Sequence, residues 1–211
     1  KVLEFAGEGV QRLPFDEQAT LTNMAVEAGG FTGIIEPSDV VVDYLHQMRG
    51  LPKAEIEARI VRSDPDAEYL EVFEYNLSDI PEMVATPGDP RNGVPLRDLD
   101  GDVRIDIAYG GSCTGGKKAD MDMYASVFRE GLERGLKVKD DVRCYIQFGS
   151  QHIRRYAEEK GYVEIFEKAG VQLIHPSCGA GINAGPGNSA SRDEVSVSAI
   201  NRNFPGRSGP G

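Results

Sequence analysis

The sequence is poor in positive charge. Its 23 lysines and arginines face 34 acidic residues, a net charge of −11. That balance argues against nucleic acid as a general partner and against an anionic membrane surface. Long apolar runs are missing too, and nothing approaches the roughly 20 residues that a membrane span needs. The opening Lys-Val-Leu-Glu-Phe lacks the apolar core of a secretion signal. Three cysteines are too few for a disulfide framework, and an odd count fits a reducing compartment. No Gly-x-Gly-x-x-Gly or Walker loop follows a candidate strand, which counts against a nucleotide-binding domain.

What remains is a globular composition. Hydrophobic residues make up 40% and charged residues 27% of 211, enough to bury a core in one large or two small domains. Strand-like and helix-like stretches alternate, which predicts an α/β fold with largely parallel sheets. The Phe15 to Ala28 stretch is predicted to be one helix ended by Gly29-Gly30, with Asn23 and Glu27 on a shared face. Ser38 is a candidate N-cap for a helix over Val40 to Met48. Tyr69 to Tyr75 alternates like a strand. Leu77 to Leu99 carries four prolines and is read as an irregular connector. The boundary therefore falls between a first lobe at 1–77 and a second at 78–211.

The second lobe holds the densest signal. Ile105, Ile107 and Tyr109 alternate with Arg104, Asp106 and Ala108, as in a strand. Gly110 and Gly111 break it, and Cys113 follows at the turn. Met121, Tyr124, Ala125, Phe128 and Leu132 then recur at helical spacing. A thiol between a strand end and a helix start sits where free N–H groups favour an anion. Cys178 lies in an equivalent place after the Val171 to Ile174 strand. In parallel sheets such loops carry the chemistry, so the two cysteines can meet at one sheet edge. Taken alone, each is more often a packing residue. Cys144, inside Val142 to Ile146, reads as a buried strand residue. His46 reads as a surface or capping residue, Asn23 and Glu27 as a solvated helix face, and Arg202 and Arg207 as surface arginines.

Three motifs change that weighting. Gly-Ser-Cys-Thr at 111–114 with Asp120 beyond it, Pro-Ser-Cys-Gly-Ala at 176–180, and Asn-Arg-Asn-Phe-Pro-Gly-Arg at 201–207 occur in that order. Together they resemble the aconitase superfamily of hydro-lyases, and the resemblance covers essentially the whole chain. It implies aconitase-like three-layer α/β/α lobes with mainly parallel sheets. It also implies dehydration and rehydration of a hydroxy di- or tricarboxylic acid through an alkene, in the style of 3-isopropylmalate dehydratase and homoaconitase more than of aconitase itself.

The resemblance assigns roles residue by residue. Cys113 and Cys178 match two of the three ligands of a [4Fe–4S] cluster whose fourth iron binds substrate and acts as a Lewis acid. Asn201, Arg202 and Arg207 match residues that bind substrate carboxylates, for which a guanidinium fork is well shaped. Thr-Asn-Met-Ala-Val-Glu-Ala-Gly at 22–29 resembles the segment beside the open iron. Glu27 would then meet a metal-bound water or the substrate hydroxyl, and Asn23 would orient it.

Two positions depart from the pattern. The third cysteine should stand three residues after Cys178, where this chain has Gly181. Gly115 replaces the Asn common after Cys-Thr. The family's catalytic Ser, on a swivelling domain or small subunit, has no counterpart here, and His152 and His175 are not in matching contexts. The expectation is therefore the central segment of a hydro-lyase of the cytoplasm, or of the mitochondrial matrix, inactive by itself. A cluster-less, non-catalytic α/β scaffold or binding module is the rival expectation.

Overall fold

The computed structural model describes residues 1–210. The chain divides into two compact units, Lys1–Glu82 and Met83–Gly211.

In the first unit, strand β1 (Val2–Phe5) pairs in parallel with β2 (Thr32–Ile35). Helices α1 (Glu8–Arg12) and α2 (Phe15–Asn23) connect them. The expected helix to Ala28 stops five residues early, and Glu27 sits in the turn beyond it. The reason is the approach of β2. A Cβ on Gly33 would lie 2.9 Å from Ala25 Cβ and 3.0 Å from Thr22 Cα, and the Gly30 N–H turns back to the Ala25 carbonyl. The chain must leave the helix to make that contact, so Asn23 and Glu27 do not share a helix face.

Helix α3 (Asp39–Arg49) starts after Ser38, and α4 (Lys53–Glu57) follows. Ser38 stands at the N-cap position, but its hydroxyl accepts from Gln18 Nε2 at 3.4 Å and caps no helix N–H. His46 is a surface residue whose Nδ1 meets the Leu51 carbonyl at 2.6 Å. The strand expected at Tyr69 to Tyr75 is absent. That stretch has no regular structure apart from a bend at Leu70, and Leu70, Val72, Phe73 and Tyr75 are exposed. Local alternation does not make a strand without a neighbouring edge to bond.

The second unit opens with a short antiparallel hairpin of β3 (Met83–Ala85) and β4 (Gly93–Pro95). The four prolines of this stretch therefore do not exclude a regular element. Pro87 and Pro90 fall in the hairpin loop, and Pro95 ends an edge strand, where its missing N–H costs no ladder bond.

The centre of this unit is a four-stranded, wholly parallel sheet in the order β7-β6-β5-β8. The strands are β5 (Ile107–Gly111), β6 (Arg143–Gln147), β7 (Gln172–Ile174) and β8 (Ser196–Ser198). Between β5 and β6 lie the single turn α5 (Ser112–Gly115) and the long helix α6 (Lys118–Glu133). Between β6 and β7 lie α7 (Gln151–Glu159) and α8 (Tyr162–Ala169). An α/β fold with mainly parallel sheets is what the sequence predicted.

Strand alternation sorts the two faces. Cys144, Ile146 and Phe148 point to the helices and pack with Met121, Ala125, Ala157 and Phe166. Ile107, Tyr109 and Tyr145 point the other way and pack with Ala180, beside Ile174 and Ile200. One face is thus an ordinary helix-covered core. The other lies under loops, and there the sheet meets the motifs. Cys144 belongs to the first face, as its sequence context predicts, and burial pushes its thiol up to about 11. Among the described residues no helix is long and apolar enough to cross a membrane.

Candidate active site

All four strands run the same way, so the loops after β5, β7 and β8 emerge at one edge. Those loops carry Cys113, Cys178 and the 201–207 motif.

The first loop turns sharply. Gly111 has φ +112°, and a Cβ there would fall 2.0 Å from the Gln147 carbonyl oxygen on β6. Only glycine lets β5 approach β6 this closely and still turn. Ser112 follows at φ +73°, unusual for a residue with a side chain. It is also buried, and its hydroxyl has no partner among the described residues. Strain and an unsatisfied buried hydroxyl coincide on the residue before Cys113, whose own side chain is exposed. Stability alone favours neither feature.

Helix α6 holds this turn from behind. Asp120 accepts from the Lys117 backbone N–H at 2.8 Å and pairs with its ammonium at 3.1 Å, while that ammonium also bonds the Thr114 carbonyl. Tyr124 donates its hydroxyl to the Gly115 carbonyl at 2.8 Å. Burial, with Asp120 adding to it, pushes the Tyr124 phenol up to about 12, so it stays a donor at any ordinary pH.

The second loop reaches the third. Cys178 is exposed and leads into a tight turn at Gly179–Ile182. A Cβ on Gly181 would lie 3.6 Å from Ile200 Cγ2, and Ser208 donates its hydroxyl to the Ala180 carbonyl at 3.1 Å. Ile200 and Ser208 are the neighbours of Asn201 and Arg207, so the arginine motif folds around the turn after Cys178. The first loop touches the chain just before that motif. A Cβ on Gly115 would come 2.9 Å from the Ala199 carbonyl.

The motif loop also carries unspent hydrogen-bonding capacity. Among the described residues Arg207 Nε is buried without a partner, and so is Asn203 Oδ1, although Asn203 Nδ2 donates to the Thr86 carbonyl at 2.7 Å. A guanidinium N–H buried and unsatisfied at a sheet edge suits an anionic oxygen. Glu27 is half-buried and Asn23 exposed, and both lie in the first unit.

The donor set does not fit a three-thiolate cluster. Gly181 has no side chain, Cys144 is committed to the helix-covered face, and the described residues hold no group of three or more His, Cys, Asp or Glu able to bind a metal. Two exposed thiols remain. At neutral pH iodoacetamide is expected to label Cys113 and Cys178, and to spare Cys144 until the chain unfolds. Peptide mass spectrometry would check this, and early labelling of Cys144 would contradict its placement.

Sequence reasoning missed Gln147 and Tyr124. Both sit in regular elements and read as ordinary strand and helix residues. What marks them is a polar tip at the strand end or beside the turn, a weak signal without the fold.

A model of the aconitase family (aconitate hydratase) matches residues 1–211. The 3-isopropylmalate dehydratase large subunit of Halothermothrix orenii is 38% identical over 209 residues, 99% of this chain and 47% of that relative. Large subunit 1 of the same enzyme from Pyrococcus furiosus is 40% identical over 210 residues, with 99% and 47% covered. The methanogen homoaconitase large subunit of Methanocaldococcus jannaschii is 35% identical over 211 residues, with 98% and 49% covered. The chain spans about half the length of the curated relatives it matches. With a match along its whole length and its cysteine and arginine loops on one sheet edge, the chain belongs to the aconitase family.

Proposed function

We propose that this chain is the carboxylate-binding core of a hydro-lyase that dehydrates and rehydrates a hydroxy di- or tricarboxylic acid. The reading rests on one observation above all. The Nε of Arg207, buried and without a partner among the described residues, lies on the loop that wraps the Cys178 turn, at the edge where the Cys113 loop also ends. A substrate with two or more carboxylates needs several fixed cationic donors, and Arg202 lies on the same loop. Asn201 is the neighbouring polar contact. Glu27 is the proposed acid–base or hydroxyl-binding group of the first unit, and Asn23 a proposed substrate contact.

The relatives named above are large subunits of 3-isopropylmalate dehydratase and homoaconitase. That supports a substrate of their kind and a smaller partner subunit, or further domains, supplying the missing catalytic Ser. Gly181 supports a second reading, a scaffold that binds the acid without a cluster. Both readings need the arginine loop.

Calorimetric titration of the chain with a 2-hydroxydicarboxylate and with a 2-hydroxymonocarboxylate tests the proposal. The diacid should bind more tightly, and Arg207→Ala should weaken it by about tenfold, the loss of one charge-assisted contact. Equal binding of the two acids, or no effect of the substitution, would remove the basis of the reading.

A further inference from the structure

We propose that Gln147 and Tyr109 form a clamp that positions Cys178, and that they act on the site only through that loop. The inference rests on reading the sheet edge as a hydro-lyase site for its functional meaning. The geometry of the clamp stands apart from that reading.

Gln147 is the last residue of β6 and is fully buried on the loop-covered face. Burying a primary amide is unfavourable unless its donors and acceptor are all partnered. Here they are. Nε2 donates to the Ser177 carbonyl at 2.8 Å and to the Ser177 hydroxyl at 2.7 Å, with the His175 carbonyl at 3.3 Å. Oε1 accepts from the Tyr109 hydroxyl at 2.8 Å. The Tyr109 side chain packs with Ala180 on this face, and burial pushes its phenol up.

The bonds therefore run from residue 177 through Gln147 to Tyr109, and Tyr109 packs against residue 180. Hydrogen bonds before Cys178 and packing after it hold the loop on both sides. Gly179 presses on the clamp between the two ends. A Cβ there would come 2.8 Å from Tyr109 Oη and 3.0 Å from Gln147 Nε2, at φ +51°. Gly187 lies as close to the Tyr109 ring, where a Cβ would fall 2.4 Å from Cε2. Loop and clamp are thus fitted to each other with no space left between them.

None of these bonds involves a sulfur, a metal or position 181. The Cys178 turn is shaped by protein groups alone, which is preorganisation of a ligand position. The loop that carries Cys113 is tied by other side chains, Tyr124 at the Gly115 carbonyl and Lys117, paired with Asp120, at the Thr114 carbonyl. The two thiols can therefore be loosened independently, and that gives the test an internal reference.

The experiment uses the intact chain and two variants. Gln147→Met keeps the length and removes every donor and acceptor, and Tyr109→Phe removes one hydroxyl while keeping the ring. Iodoacetamide labelling rates are read for each cysteine by peptide mass spectrometry, and amide hydrogen exchange is read over residues 176–182. The ratio of Cys178 to Cys113 labelling should rise about fivefold in each variant, as loss of one hydrogen bond worth about a factor of five predicts. Exchange over 176–182 should quicken with it, while Cys144 stays unlabelled. A general loss of stability would move both exposed thiols together and expose Cys144. If Gln147→Met does that, the conservative Tyr109→Phe decides. An unchanged ratio in Tyr109→Phe with Cys144 protected overturns the clamp. No readout needs substrate or metal, so a failed clamp leaves the hydro-lyase reading in place, and failed carboxylate binding leaves the clamp.

Discussion

Gly181→Cys, reconstituted anaerobically with iron and sulfide, is expected to turn brown and hold about four irons per chain, the content of one [4Fe–4S] cluster. The parent chain, treated alongside, is expected to hold no stable cluster. The steric argument is direct. Gly181 is buried in the turn Gly179–Ile182 and is absent from the positive-φ glycines. A Cβ there meets only Ile200 Cγ2 at 3.6 Å, an ordinary contact. Cysteine therefore fits the backbone as it stands, three residues after Cys178. The clamp of Gln147 and Tyr109 already holds that turn, so the new thiol arrives in a preshaped loop. If the parent binds as much iron as the variant, another ligand exists and Gly181 is not the deficit. If neither binds, two or three thiols on this segment are insufficient and the scaffold reading gains.

How much of this was legible beforehand differs from residue to residue. The place of Cys113 was readable because two local signals abut. A period-two run ends in Gly110-Gly111, and a period-3.6 run begins a few residues later. Cys144 was readable because an apolar strand buries its alternate residues whatever the fold. The meeting of the two cysteine loops at one edge was implied once the strands were taken as parallel. Glu27 was misplaced because helical spacing persists in the sequence past Asn23, whereas β2 closing against Ala25 and Thr22 ends the helix. The Tyr69 to Tyr75 stretch has strand-like alternation but no strand beside it, so propensity had nothing to act on. The hairpin at Met83–Ala85 and Gly93–Pro95 was hidden by prolines that lie in its loop and at its edge. Gln147 was invisible for another reason. Its partners lie about thirty and about forty residues away, at Ser177 and Tyr109, and no local pattern reports them.

A glycine at the other end of the site should behave in the opposite way to Gly181. Gly111→Ala is expected to destabilise the second unit by about 4 kcal/mol or more, in the range reserved for overlaps that backbone must absorb. Two costs combine. At φ +112° and ψ −138° a side chain is strained whatever its surroundings. Its Cβ would also lie 2.0 Å from the carbonyl oxygen and 2.7 Å from the carbonyl carbon and amide nitrogen of Gln147. Those atoms are backbone at the residue paired with Gly111 in the β5–β6 ladder, so no rotamer change relieves the contact. The two central strands would have to part. Gly181→Ala makes the same chemical change at an open position and should stay within about 1 kcal/mol of the parent, with a slight gain from the less flexible unfolded chain. Urea melts followed by far-UV circular dichroism, with Cys144 labelling as a reporter of opening, compare the pair. The contrast identifies what Gly111 does. It lets β5 lie against β6 up to the last residue and then turn, which sets Cys113 at the sheet edge over the strand that carries Gln147. A Gly111→Ala chain that melts like its parent would mean that β5 and β6 can separate at no cost, and the close approach would then explain neither the strained Ser112 nor the position of Cys113.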